Sequence, residues 1–141
     1  MSEPLNVTIT LRGVEKAKKQ LAAFPEKVAK KALRKGVRAG AKVVARAMKA
    51  GVPRVTGRTR QAIKVRAGKR TRKPVVVARA VVGAGWFKGP TFYAAFVEFG
   101  TKRIEARHHM ERAGTAASQQ AADAMMDATI KASDELAATL K

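Results

Sequence analysis

Apolar and polar residues alternate from Leu5 to Leu11. Leu5, Val7, Ile9 and Leu11 fall on one side and Asn6, Thr8 and Thr10 on the other, which predicts a half-buried strand closed by Gly13. From Val14 the period changes. Val14, Ala17, Leu21, Phe24 and Val28 step by three and four, and Val37, Ala41, Val44 and Met48 continue the stepping. That is the apolar face of a helix. Pro25 lacks an amide donor, so it starts a new helix or kinks one. The pattern therefore predicts a helix over 14–23 and a longer one over 25–49, ended by Gly51 and Pro53. Gly36 and Gly40 lie four apart inside the longer helix. Close packing is the reading that spacing favours, and a hinge is the alternative.

Further along, Thr56 is placed to cap a short helix running to about Lys64. Ile63, Val65 and Ala67 then alternate with Lys64, Arg66 and Gly68, the start of a strand. Residues 66–74 form a basic loop without an apolar anchor, and Pro74 to Gly83 is a Val-rich strand interrupted by Arg79. Gly83, Gly85, Gly89 and Pro90 mark a loop carrying Trp86 and Phe87, either a contact surface or a segment folded back on the core.

The most apolar stretch is Phe92 to Thr101, FYAAFVEFGT. Phe92, Phe96 and Phe99 recur at helical spacing, although Tyr93, Ala95, Val97 and Phe99 also alternate. A helix of two to three turns stopped by Gly100 is the preferred reading. Glu98 stands isolated among apolar neighbours. It is either a solvated side chain or one paired with a basic residue, in this chain or in a copy beside it. Thr115 to Leu140 closes the chain as a neutral helix with Ala121, Met125, Ala128, Ala132, Leu136 and Leu140 on one face. Such a loosely packing face can dock on its own domain or on another subunit. The expected fold is α+β in one domain, 1–141. A small antiparallel sheet packs against a long N-terminal basic helix, with a short aromatic helix and a C-terminal helix.

Charge sharpens this picture. The net charge is +20, and it is unevenly placed: residues 1–100 carry 24 basic and 4 acidic side chains, residues 101–141 six of each. A basic surface of that size suits a polyanion or an acidic protein face. Lys69, Arg70, Arg72 and Lys73 crowd together as a mobile hairpin tip by default and as phosphate contacts in the functional alternative. Leu, Ile, Val and Phe make up only 30 of 141 residues. With so much charge, that composition borders on chains that do not fold alone, so neighbours or polyanions are expected to contribute stability. There is no Cys, which fits a reducing compartment. No run of 18 apolar residues predicts a membrane span, and MSEPLNVTIT does not read as a secretory signal.

Catalytic patterns are missing. No phosphate-binding Gly loop, HExxH or paired carboxylates occur, so neither an enzyme nor a cofactor is expected. His108 and His109 are adjacent and point different ways, and Glu105 and Glu111 add only a weak metal set. No helix-turn-helix or zinc spacing appears, so DNA contact would be to phosphate without sequence preference. A non-sequence-specific DNA-binding protein is the alternative reading. A membrane-active amphipathic protein is disfavoured by the strands and the neutral last helix.

The order of parts resembles the gene-10-like tail-component family of long-tailed bacteriophages, small neck or tail-completion proteins. Thr56, Gly57 and Arg58 with Ile63 are similar to its TGRL-type segment, with Thr59 in place of Leu. Tyr93, Ala94, Val97, Glu98, Phe99, Gly100 and Thr101 resemble its YA-x-x-VEFGT signature. Ala106, Arg107 and Ala113 resemble its ARPF-type segment, with His108 and His109 in place of Pro and Phe. The resemblance spans about residues 5–135. It implies a structural virion protein, made in the host cytoplasm, whose copies form a ring, expected to be six, at the head–tail junction. Its partners would be head-closure, tail-terminator or tail-tube proteins, with phosphate contacts to phage DNA and no membrane. Interface candidates are Thr56, Gly57, Arg58, Tyr93, Val97, Glu98, Phe99, Gly100, Thr101 and Arg107. Glu98 is expected to pair with a basic side chain such as Arg58 or Arg107, so Glu98→Gln should impair assembly more than folding.

Overall fold

The computed structural model describes Lys19 and residues 21–52, 57–68, 76, 78–82 and 92–140. The expected strand Leu5–Leu11, most of the helix 14–23, Thr56, the basic cluster Lys69, Arg70, Arg72 and Lys73, and the loop carrying Trp86 lie outside the described residues.

Helix α1 spans Glu26–Gly51, with Pro25 at the position before its first turn. Pro25 carries no N–H, and its extended ψ of 146° turns the chain into the helix. Its carbonyl accepts the first bonds, from Val28 at 2.9 Å and Ala29 at 3.1 Å. Glu26 in the first turn forms an ion pair with Lys30 at 2.6 Å. The hydrogen bond and charge of Lys30 hold the Glu26 carboxyl below its usual range. The helix stops at Val52, which is extended and donates back to the Met48 carbonyl.

Short helix α2 (Arg58–Ala62) runs directly into strand β1 (Ile63–Ala67). β1 pairs antiparallel with β2 (Ala78–Val82), in a register that sets Ile63 opposite Val82 and Ala67 opposite Ala78. Of the Val-rich run expected as a strand, Ala78–Val82 is strand and Val76 is not, and Pro74, Val75, Val77 and Gly83 lie outside the described residues. Arg66 and Arg79 face each other across the ribbon, both exposed. Helix α3 (Tyr93–Phe99), helix α4 (His109–Ala116) and helix α5 (Ser118–Thr139) follow. The predicted single C-terminal helix is in fact two: α4 begins earlier, and the chain turns at Ala117 before α5. The fold is α+β as expected, mostly helical, with one two-stranded sheet among the described residues.

Helix α1 is the floor on which the rest is laid. It packs along α5, beneath both strands and against α4. The core is one cluster, Val44, Ala45, Met48, Val52, Ile63, Ala94, Met110 and Ala121, edged by Val43, Ala62, Val65 and Ala80. Ile63 is fully buried where α2 becomes β1, so it pins the ribbon to α1. Burying a side chain of that size contributes about 1.5–3 kcal/mol.

The α1–α5 contact is closer than side chains alone allow. A Cβ on Gly36 would sit 1.8 Å from Thr129 Oγ1 and 2.7 Å from the Met125 carbonyl oxygen. One on Gly40 would lie 2.9 Å from the Ala121 carbonyl oxygen. The two glycines therefore serve close packing, and the hinge reading is set aside. The buried face of α5 is Ala121, Thr129, Ala132 and Ser133, of which the sequence pattern predicts Ala121 and Ala132. Met125, Ala128 and Leu136 are only half-buried and Leu140 is exposed, because α1 admits small side chains along this seam. Thr129 and Ser133 are tolerated there because their hydroxyls donate within α5, to the carbonyls of Met125 at 2.7 Å and Ile130 at 2.6 Å.

Gly36→Ala is expected to destabilise the protein by about 1–3 kcal/mol through overpacking, despite the better helix propensity of Ala. A urea titration of the variant beside wild type reads this directly, and an unchanged midpoint would contradict the close approach.

Candidate interaction site around the buried Glu98

Helix α3 ends at Gly100, whose φ of 75° and ψ of 175° suit only glycine. Space requires it as well. A Cβ there would meet the Ala106 nitrogen at 2.8 Å and the Ile104 carbonyl oxygen at 2.9 Å. Thr101 then closes a tight turn. Its hydroxyl accepts from the amides of Arg103 at 3.2 Å and Ile104 at 3.1 Å, and its own amide donates to the Ile104 carbonyl at 2.8 Å. The returning chain covers the end of α3. Arg107 N–H donates to the Val97 carbonyl at 3.1 Å and His108 N–H to the Glu98 carbonyl at 3.2 Å. The last carbonyls of a helix lack partners inside it, and these two bonds supply them.

Glu98 is joined to the next helix from its side chain too. The Met110 N–H reaches Oε1 at 3.0 Å and Oε2 at 3.1 Å, and the Glu111 N–H reaches Oε1 at 2.9 Å. The carboxylate thus serves the free amides in the first turn of α4, where helix polarity also favours a negative group. Glu98 is 1% exposed, which corrects the reading of a solvated side chain. The expected pairing with Arg58 or Arg107 is corrected as well. Among the described residues, its hydrogen bonds come from backbone amides twelve and thirteen positions on, and both arginines are exposed.

His108 precedes α4 in the left-handed region, φ 46°. A proline there, as in the segment this one resembles, is incompatible with that backbone, because its ring holds φ near −65°. The His108 Nδ1 lies 2.9 Å from a Glu111 carboxylate oxygen. His109 Nε2 is buried, with no hydrogen-bond partner among the described residues. The Arg112 guanidinium donates to the Arg107 carbonyl and further secures the corner.

The TGR segment is similarly local. Gly57 holds φ 69° before α2, a backbone conformation that favours glycine, and among the described residues nothing lies near a hypothetical Cβ. Arg58 points to solvent. Sequence reasoning missed Arg60, whose Nε donates at 2.7 Å to the Lys49 carbonyl near the end of α1. Spacing gave no sign of it, since the acceptor is a backbone oxygen.

On the outer side of α3 the aromatic rings gather. Phe92 and Tyr93 have centroids 3.9 Å apart, and Phe96 meets both edge-on at 5.9 and 6.4 Å. Tyr93 is 67% exposed, and Phe99 and Ile104 are also exposed. Among the described residues, no group of three or more His, Asp or Glu gathers to hold a metal, and no helix is long and apolar enough to cross a membrane.

The motif residues thus fall into those that lock a corner, Glu98, Gly100 and Thr101, and those that face outward, Tyr93 and Phe99. This is the arrangement of a small α+β scaffold with a stiffened outer edge. The chain belongs to the HK97-gp10-like family, whose model matches residues 15–100 and is described as "Bacteriophage HK97-gp10, putative tail-component". Comparisons with curated proteins and with solved structures returned no match. The family match stops at Gly100, so α4 and α5 lie beyond it. Family membership makes this chain a phage tail component and places it in the virion, among other tail proteins.

Glu98→Ala leaves two amides of α4 without their acceptor and is expected to cost about 1.5–3 kcal/mol of stability. Glu98→Gln keeps one acceptor oxygen and should cost less. Chemical denaturation of the isolated variants orders them, and a wild-type midpoint for the alanine variant would refute the capping role.

Proposed function

We propose that copies of this chain assemble as a ring of six at the head–tail junction. There the ring completes the end of the tail and connects it to the head-closure proteins around the DNA channel. The observation that carries this reading is the coincidence of the tail-component match with an exposed apolar edge at its end. Within the matched segment the exposed Tyr93 lies against the rings of Phe92 and Phe96, and Phe99 and Ile104 are separately open to solvent. Grouped apolar side chains on a surface favour a protein partner. The turn beneath them is held by Gly100 and Thr101, so the edge is presented with little freedom.

Composition supports the same reading. The core leans on Ala, and the positive charge along α1 repels itself in a lone subunit. A neighbour that covers apolar surface relieves the first, and an acidic surface on that neighbour relieves the second. Arg58, Thr101 and Arg107 are also exposed. Glu98 acts at one remove, by fixing α4 against α3.

Electron microscopy of phage particles produced without this chain tests the placement. DNA-filled heads separated from free tails, or tails with an abnormal head-proximal end, are expected. Complete and normal particles would refute the junction role.

A further inference from the structure

The outer surface of α1 carries an uninterrupted row of cations. From Lys27 to Lys49 the exposed positions are Lys27, Lys31, Lys35, Arg38, Lys42 and Arg46, and no others. They step by four, four, three, four and four, so they form one stripe about 28 Å long at 1.5 Å per residue. The stripe lies opposite the face that Ala32, Gly36, Gly40 and Val44 bury.

Helix α5 carries the complementary row: with Asp123, Asp127, Asp134 and Glu135 against Lys131 it is acidic, which corrects the expectation of a neutral helix. Its seam toward α1 is Ala121, Thr129, Ala132 and Ser133. At about 100° per residue, Asp123, Asp127 and Asp134 project from the opposite side, and all three are exposed. Lys131 is the one basic residue among them, so the face keeps a net negative charge. Glu135 lies to one flank and meets Lys35 of the same chain at 3.3 Å. The pair of helices is thus positive on one outer side and negative on the other.

We infer that the basic stripe of α1 docks on the acidic face of α5 in the next copy of this chain, making the head-to-tail contact of the ring. This deepens the ring reading above and rests on it. Opposite faces on opposite sides of one unit make a heterologous interface, which closes into a ring when the rotation per subunit divides a full turn. A polyanion would use the α1 stripe but be repelled by α5, whereas a second copy uses both. With Lys35 held by Glu135 of its own chain, five cations face three carboxylates and a lysine, so the contact is attractive without being neutral. Exposed ion pairs are individually weak, so the arrays set register and exclude wrong partners while apolar contacts such as the α3 edge supply affinity.

The chain has no cysteine, which permits a clean cross-linking experiment. Phage particles are assembled with the double variant Arg38→Cys and Asp127→Cys and treated with a short bismaleimide. A ladder of covalent multimers reaching the full ring is expected on a denaturing gel, with monomers alone from either single variant. Dimers from a single variant would mean an isologous contact and overturn the proposal.

Charge reversal gives the second arm. Arg38→Glu with Lys42→Glu, or Asp123→Lys with Asp127→Lys, should each lower the copies per particle at least tenfold. Co-production of the two variants should restore them, because each then presents a face complementary to the other. If microscopy shows a ring while the ladder and the rescue are both missing, this interface is wrong and the ring reading stands. If particles hold no ring of copies, both fail. If only the α1 reversal matters and ultraviolet light cross-links α1 to packaged DNA, the stripe serves a polyanion and the proposal is overturned.

Discussion

The close approach of α1 and α5 is the constraint on which the other contacts depend. A chain with so few large apolar residues gains little from filling space with side chains. It brings two helix backbones together at Gly36 and Gly40 instead, where dispersion acts between main-chain atoms. That choice admits only small residues on α5, and Thr129 and Ser133 enter because their hydroxyls are satisfied within their own helix. With α1 fixed in this way, its other flank is free to carry Val44, Met48 and Val52 under the ribbon and α4.

The tail-component signature acquires a physical meaning from this arrangement. Glu98 is bonded at its carbonyl and at its carboxylate, to the residue before α4 and to the first turn of α4. Gly100 and Thr101 bend the chain so that these bonds can form. The motif therefore encodes a corner between two short helices, neither of which would persist alone at seven or eight residues. The aromatic residues of the same motif spend part of their surface on one another and leave Tyr93 to the outside.

Much of this was legible in the sequence. The 3.6 period marked α1 nearly to the residue, alternation marked β1, and Gly100 marked the end of α3. On α5 hydrophobicity finds Ala121 and Ala132 but not Thr129 and Ser133, because along that seam burial follows size as well as polarity. The break at Ala117 left no mark, since Ala is the strongest helix former. Glu98 stands out in the sequence, but its partner does not. Every residue except proline offers an amide, so no residue type announces a helix start as a ligand for a carboxylate. A left-handed His108 was equally silent, because that conformation is uncommon outside glycine.

The opposed charge on the two outer helix faces has an electrical consequence. A subunit with cations along α1 and carboxylates along α5 carries a transverse dipole in addition to its net charge. In any closed cyclic arrangement, the components of these dipoles within the plane of the circle sum to zero by symmetry. A ring therefore shows the outside a nearly uniform monopole, whereas a free subunit has a handle by which the field of a partly built circle can turn it before contact.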